Sequence, residues 1–430
     1  MASDAPPATL KAIQARGYRC LKHVDLRFDG NFHVLVGPNG SGKSTLLDAI
    51  AFLSDYMNLG LERAVGRRTR NFQDLVWGRP ARSPGFELAV EFTVGDQELR
   101  YELRVEESDE GVRVAAENGY LGRLTPEEFS ASAGTNSICK GDLASGRRQR
   151  QVFGQDTETI GQDMVQDVLW FRPMNKDLSR ILFARDHPSD DRSAIGFLSV
   201  LRGLIPPADE EKLDFSFLEQ FGDALTRRGA QFLQLDSKIL RQASKPNGDD
   251  GSRLTDDGSN LPQVLERLKS DRKEWKRWLE FVRLALPELE DVRIVHREDD
   301  RHKYLMVKRA GVEVPSWGVS EGTLRLFALT VVAHLRTYPL AYLLEEPENG
   351  IHPMAIEYAY QALSAVRDAQ VFIASHSPTL LRCAEIDQIL CFGHDPGKGT
   401  VIVRGDEHPR LRKWRGSLDD TVFWAADILS

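Results

Sequence analysis

A chain of 430 residues is too long for one ordinary hydrophobic core, so two or three domains are expected. The 41% hydrophobic share excludes general disorder, and the net charge of −8 excludes a molecule that attracts nucleic acid over its whole surface. Four cysteines without paired metal spacing, no apolar signal core near the N-terminus and no apolar run of membrane-spanning length point to a reduced, cytoplasmic protein that does not engage a membrane.

In chain order, Leu10 to Ile13 and Leu21 to Phe28 read as short strands. Gly17-Tyr18-Arg19 between them is either a base-stacking element or, more simply, a turn with a packed Tyr18. The apolar run Phe32 to Val36 then passes into Gly37-Pro38-Asn39-Gly40-Ser41-Gly42-Lys43-Ser44-Thr45, followed by Leu46, Ile50 and Leu53 at helical spacing. Strand, glycine-rich turn and helix in that order form a phosphate-binding loop. The glycines let successive N–H groups point at phosphate oxygens, and the helix adds its positive end. Lys43 supplies a cation for the β- and γ-phosphates, and the Ser44 hydroxyl suits Mg²⁺.

Leu61 to Asn71 carries Arg63, Arg67, Arg68 and Arg70. Gln73 follows, a candidate for a mobile glutamine that reaches Mg²⁺ and the attacking water. Phe86 to Val94 and Leu99 to Val105 alternate around Gly95-Asp96 as a β-hairpin. From Glu106 to Gln166 the pattern is loop-like, with a basic run at Arg147 to Arg150, and Leu169 to Pro173 is an apolar run. Arg192 to Leu204, Phe215 to Leu240 and Leu261 to Leu286 read as helical, the last with Leu265, Leu268, Trp275, Leu279 and Val282 buried. Val292 to His296 and Tyr304 to Lys308 read as strands.

At Trp317 to Thr323 a turn with Ser320 and Gly322 opens a helix whose apolar face is Leu324, Phe327, Ala328, Val331 and Leu335. Such a start is an anion seat or simply a good cap. The strand Leu340 to Leu344 ends in Glu345-Glu346, which suits one Mg²⁺-side acid and one group that polarises water. The strand Val371 to Ala374 ends in Ser375-His376-Ser377-Pro378, where an imidazole can sense a γ-phosphate. A basic run, Arg410 to Arg415, and a helical pattern from Leu418 to Leu429 follow.

Gly37 to Thr45, Asp257-Gly258-Ser259-Asn260-Leu261, Ser320-Glu321-Gly322-Thr323, Glu345 to Pro353 and Ser375 to Pro378 together resemble the ABC-type ATPase head of the SMC, RecF and overcoming-lysogenization-defect class. Within it the resemblance runs to compact bacterial AAA-family ATPases of defence and genome-maintenance operons. It implies an α/β P-loop fold: a mixed central sheet with flanking helices, an antiparallel β subdomain, and an inserted, mainly helical lobe. The implied division is 1–105 and 301–430 for the head and 106–300 for the lobe. It also implies ATP and Mg²⁺ as ligands, and a head-to-head homodimer in which Ser320 and Gly322 of one copy meet the γ-phosphate held by Lys43 of the other. Glu346 is then the general base, Glu345 with Ser44 and Gln73 the metal side, His376 the switch, and Asn349 and His352 face the partner. Glu345 stands where many relatives carry Asp. The roughly fifty residues after His376 are too few for a Toprim nuclease domain. The expected function is a nucleotide-switched dimer that controls an effector protein in anti-phage defence or DNA maintenance. A repair or restriction ATPase that grips DNA or RNA through its basic runs is the alternative, and a transporter ATPase subunit is a weaker one.

Overall fold

The computed structural model describes residues 8–79, 85–94, 97–109, 111–121, 169–171, 229–246, 250–335, 338–409 and 411. The expected helices at 192–204 and 418–429, the basic run 147–150, the Gly95-Asp96 turn and all but Leu411 of the run 410–415 lie outside them.

Two six-stranded sheets organise the head. The first runs β15-β14-β3-β13-β12-β8, built from Phe32–Val36 (β3), Ala230–Leu233 (β8), Ala341–Glu345 (β12), Gln370–Ala374 (β13), Ile389–Asp395 (β14) and Gly399–Arg404 (β15). From β14 to β8 all neighbours are parallel, and β15 closes the edge antiparallel. Such strands are covered on both faces, which is why β3, β12 and β13 are mostly apolar, with His33, Glu345 and Gln370 the polar exceptions. Alternate residues enter two different cores: Val34 and Val36 pack on one face, Leu35 on the other.

The second sheet is antiparallel, in the order β2-β1-β4-β5-β6-β7. Its strands are Ala8–Tyr18 (β1), Leu21–Arg27 (β2), Phe86–Val94 (β4), Gln97–Ser108 (β5), Gly111–Leu121 (β6) and Leu169–Phe171 (β7). Helix α1 (Lys43–Leu59) lies between the sheets, contributing Leu46, Leu47, Phe52 and Tyr56 to the shared core. Tyr18 is fully buried and donates its hydroxyl to Asp48 at 2.6 Å, so it is the packed turn residue and not a base platform. Short α2 (Leu61–Gly66) follows α1.

The other face of the central sheet carries α4 (Leu261–Ser270), α5 (Arg272–Ala285), α6 (Glu321–Val331) and α7 (Pro353–Ser364), with a three-stranded meander of β9 (Leu289–His296), β10 (Lys303–Arg309) and β11 (Val312–Pro315). The single helix expected over 261–286 is broken at Asp271. Its extended backbone ends α4, and its carboxylate accepts the N–H groups of Lys273 and Glu274 at 3.1 and 3.2 Å to start α5. That break turns Trp278 into the core, where its indole donates to Thr330 Oγ1 at 3.0 Å, while Trp275 is only half-buried.

The helix expected over 215–240 is corrected within the described residues. Ala230–Leu233 is strand β8, and only Ser237–Leu240 (α3) is helical. A four-residue apolar run does not distinguish the two states by periodicity. Within the range 106–300, expected as the inserted lobe, β6 and β7 extend the antiparallel sheet, and β8 pairs with β12.

A buried side chain helps to tie the two sheets. Gln370 is buried; its Oε1 accepts the Leu10 N–H at 2.6 Å, and its Nε2 donates to the carbonyls of Leu10 and Gly30 at 3.0 and 3.2 Å. It satisfies the backbone of β1 where the register shifts between Leu10 and Ala12. Gln370→Leu orphans those groups and is expected to lower stability by about 1–3 kcal/mol, read as a lower midpoint in urea unfolding.

Candidate active site

Strands β3, β13, β12 and β8 are parallel neighbours, so their carboxyl ends share one edge of the sheet, where open α/β sheets place ligands. A cavity of about 1020 Å³ opens along that edge.

The turn after β3 is shaped by glycine. Gly37, Gly40 and Gly42 have φ of 149°, 79° and 107°. A Cβ on Gly37 would lie 2.2 Å from the Phe392 carbonyl oxygen, and one on Gly42 would lie 2.5 Å from Thr400 Oγ1. Gly42 caps α1 without a side-chain hydrogen bond, and the first turn holds no acidic residue, so its N–H groups face the cavity uncompensated. Lys43 Nζ donates to the carbonyls of Gly37 and Pro38 at 2.8 and 3.0 Å. Burial lowers its pKa, an effect opposed by the charges of Glu346 and Glu345. Asn39, Gly40, Gly42, Lys43, Ser44 and Thr45 line the cavity, whereas Gly37, Pro38 and the buried Ser41 form the frame behind them. The cradle fits a polyphosphate.

The acidic strand end lies opposite. Glu345 and Glu346 both line the cavity. Glu346 sits at φ 44°, a left-handed conformation held because its N–H donates to the Ala374 carbonyl at 2.8 Å. Asn349 donates its side-chain amide to Glu346 Oε2 at 2.6 Å. Two residues beyond Glu346, Glu348 is half-buried, and its desolvation raises its pKa. Ser375 Oγ donates to Glu348 Oε1 and accepts the Ser377 N–H at 3.0 Å. Between those serines, His376 lines the cavity. Its pKa is lowered by burial and by the Lys43 cation, so it favours the neutral imidazole, with one N–H donor. Ser44 and Glu345 give oxygen donors that would suit Mg²⁺.

Gln73 is placed elsewhere. It lies in a short 3-10 turn (Phe72–Leu75), its amide donates to Glu107, and it does not line the cavity. The glutamine that does is Gln234, the residue after β8, beside β12 and its carboxylates. Sequence reasoning missed it because β8 was read as helix. The Asp257-Gly258-Ser259-Asn260 segment brackets this loop: Gln234 N–H donates to the Asp256 carbonyl at 2.8 Å and Asp236 N–H to that of Asp257 at 3.1 Å. Asp257 and Asn260 in turn fix their own turn through the N–H groups of Ser259 (2.9 Å) and Thr255 (2.8 Å).

Ser320 and Gly322 also lie off the chain's own cavity. Ser320 caps α6, accepting the Thr323 N–H at 3.3 Å. Gly322 packs on the acidic loop so tightly that a Cβ would lie 2.4 Å from the Gly350 carbonyl oxygen. Asn349 is exposed, and exposed His352 caps α7 through Nδ1. In the arginine-rich stretch, Arg68 is buried against Asp48 and Asp55 and Arg67 pairs with Asp55, so neither is a free cation.

A family model described as "AAA domain, putative AbiEii toxin, Type IV TA system" matches residues 32–160 and 175–382, well over half of the chain. The chromosome partition protein Smc of Burkholderia pseudomallei is 26% identical over 173 residues, 38% of this chain and 13% of that protein. The DNA replication and repair protein RecF of Pasteurella multocida is 35% identical over 91 residues, 21% of this chain and 24% of that one. The chain thus spans well under a third of the length of these two relatives. A solved Smc head bound to the C-winged helix domain of ScpA superposes with a TM-score of 0.50 at 14% identity, covering 92% of this chain and 98% of that one. Among the described residues, no helix is long and apolar enough to cross a membrane. The chain belongs to this AAA-domain family and is an ABC-type ATPase head of the SMC and RecF class.

Proposed function

We propose that this head is a nucleotide-operated switch: ATP closes two copies face to face, and hydrolysis releases them to set the state of a partner effector in defence or DNA maintenance. The observation that carries it is the meeting of Lys43, Ser44, Glu345, Glu346 and His376 on one cavity, whose rim takes Glu321 and Arg325 of α6 but neither Ser320 nor Gly322. A well-capped helix start whose Ser320 and Gly322 do not line the cavity of their own subunit is suited to complete the site of a second copy. Exposed Trp317 and Met354, just before Ser320 and just after His352, give that face apolar anchors. Glu346 takes a proton from the attacking water, Lys43 and the α1 amides neutralise phosphate charge, and His376 donates to the terminal phosphate. Mg²⁺, held by Ser44, Glu345 and Gln234, supplies further charge neutralisation when bound. The names of the curated relatives favour a DNA-linked role; binding to duplex DNA that weakens steeply with salt would support a direct grip.

The test is light scattering of the Glu346→Gln protein with and without ATP. A mass doubling with ATP, abolished by adding Ser320→Arg, is expected. ATP binding without any change of mass would remove the switch reading.

A further inference from the structure

Of the carboxylates on this edge, Glu348 has no part in the chemistry above. It is nevertheless half-buried, on the loop that carries Glu346. Its Oε1 accepts the Ser375 hydroxyl, and its Oε2 is enclosed with no hydrogen-bond partner among the described residues. Enclosing a carboxylate oxygen without a partner is unfavourable, so this contact is a poor source of stability. Ser375 is fully buried, and its hydroxyl also accepts the Ser377 N–H at 3.0 Å. That hydroxyl therefore braces the residues on both sides of His376. A backbone link also joins the two loops: the Glu346 N–H donates to the Ala374 carbonyl at 2.8 Å. That bond continues the β12–β13 ladder, and the Glu348–Ser375 contact, two residues further along one segment and one residue along the other, extends the joint past the strand ends.

We propose that Glu348 is a positioning residue for hydrolysis. Through Ser375 it locks the His376 turn to the Glu346 loop, so that the water-activating and phosphate-sensing groups keep one geometry. The inference rests on the functional reading above. It requires only that Glu348 act through Ser375, since Glu348 itself does not line the cavity.

The experiment is steady-state ATPase kinetics with equilibrium ATP binding for Glu348→Ala, Glu348→Gln, Ser375→Ala and the Glu348→Ala/Ser375→Ala pair. Misplacing a catalytic group by an ångström or so is costly, so Glu348→Ala is expected to lower kcat at least about tenfold. ATP affinity, set by the phosphate loop, should stay within about twofold. Glu348→Gln retains an acceptor for Ser375 and should recover most of the rate. Ser375→Ala should match Glu348→Ala, and the double variant should be no slower than either single one. The proposal is overturned by full kcat in Glu348→Ala, by a glutamine variant as slow as alanine, or by single effects that multiply. If Glu348→Ala does not fold, Glu348→Gln against Ser375→Ala decides by the same criteria. Glu346→Gln run in parallel separates the two readings: normal turnover there rejects the base assignment, whereas its loss beside an unaffected Glu348→Ala rejects only the joint.

Discussion

Glu346→Gln is expected to lower ATP turnover by about 10²- to 10⁴-fold while ATP still binds. Glutamine has the shape of glutamate, can accept the Asn349 amide as Glu346 Oε2 does, and meets no greater backbone strain at φ 44°. What it lacks is a basic oxygen facing the cavity. The binding groups, Lys43 and the free amides of α1, are on another strand end and are untouched. Phosphate release and equilibrium binding of labelled ATP, measured on the same preparation, check both halves. Turnover within threefold of the parent protein would move the base elsewhere.

Gly42→Ala is the second large expectation: a loss of nucleotide affinity of roughly 5- to 150-fold. At φ 107° any Cβ is strained, by about 1–3 kcal/mol. Here the new carbon would also lie 2.5 Å from Thr400 Oγ1, 3.0 Å from its Cγ2 and 3.3 Å from Cys20 Sγ. Thr400 is buried, and its hydroxyl donates to the Ser41 carbonyl at 2.9 Å, so it yields only by releasing the turn. The amides that meet phosphate then lose their aim. Gly30→Ala is the control: φ is 81°, but nothing lies within 4 Å and the site is outside the cavity. It should cost stability and leave affinity alone, as titration calorimetry beside a melting curve would register.

How far the residues alone carried the reading depends on the range of each interaction. The phosphate loop, the two acids and His376 are legible because each sits at the junction of an apolar strand with a turn, a pattern a few residues long. That they share one edge follows from parallel pairing. Gln234 was not legible: its strand has four residues and gains its identity only by pairing with β12, more than a hundred residues later. Gln73 was chosen by its position after α1, but a sequence offset does not fix which side of α1 a loop reaches. The joint between Glu348 and Ser375 links segments 27 residues apart and has no local signature.

The central sheet also constrains how the chain reaches its native state. Both neighbours of β3 come from the last fifth of the described chain, with Val371 pairing with Phe32 and Ile389 with Val34. At about 5–20 residues per second of synthesis, the strand leading into the phosphate loop waits roughly 17 to 67 seconds before its first partner is made. During that interval a five-residue strand with four apolar side chains lacks a sheet, so emerging chains are natural clients of holding chaperones. Fragments that stop before residue 370 should accumulate as aggregates and not as half-heads.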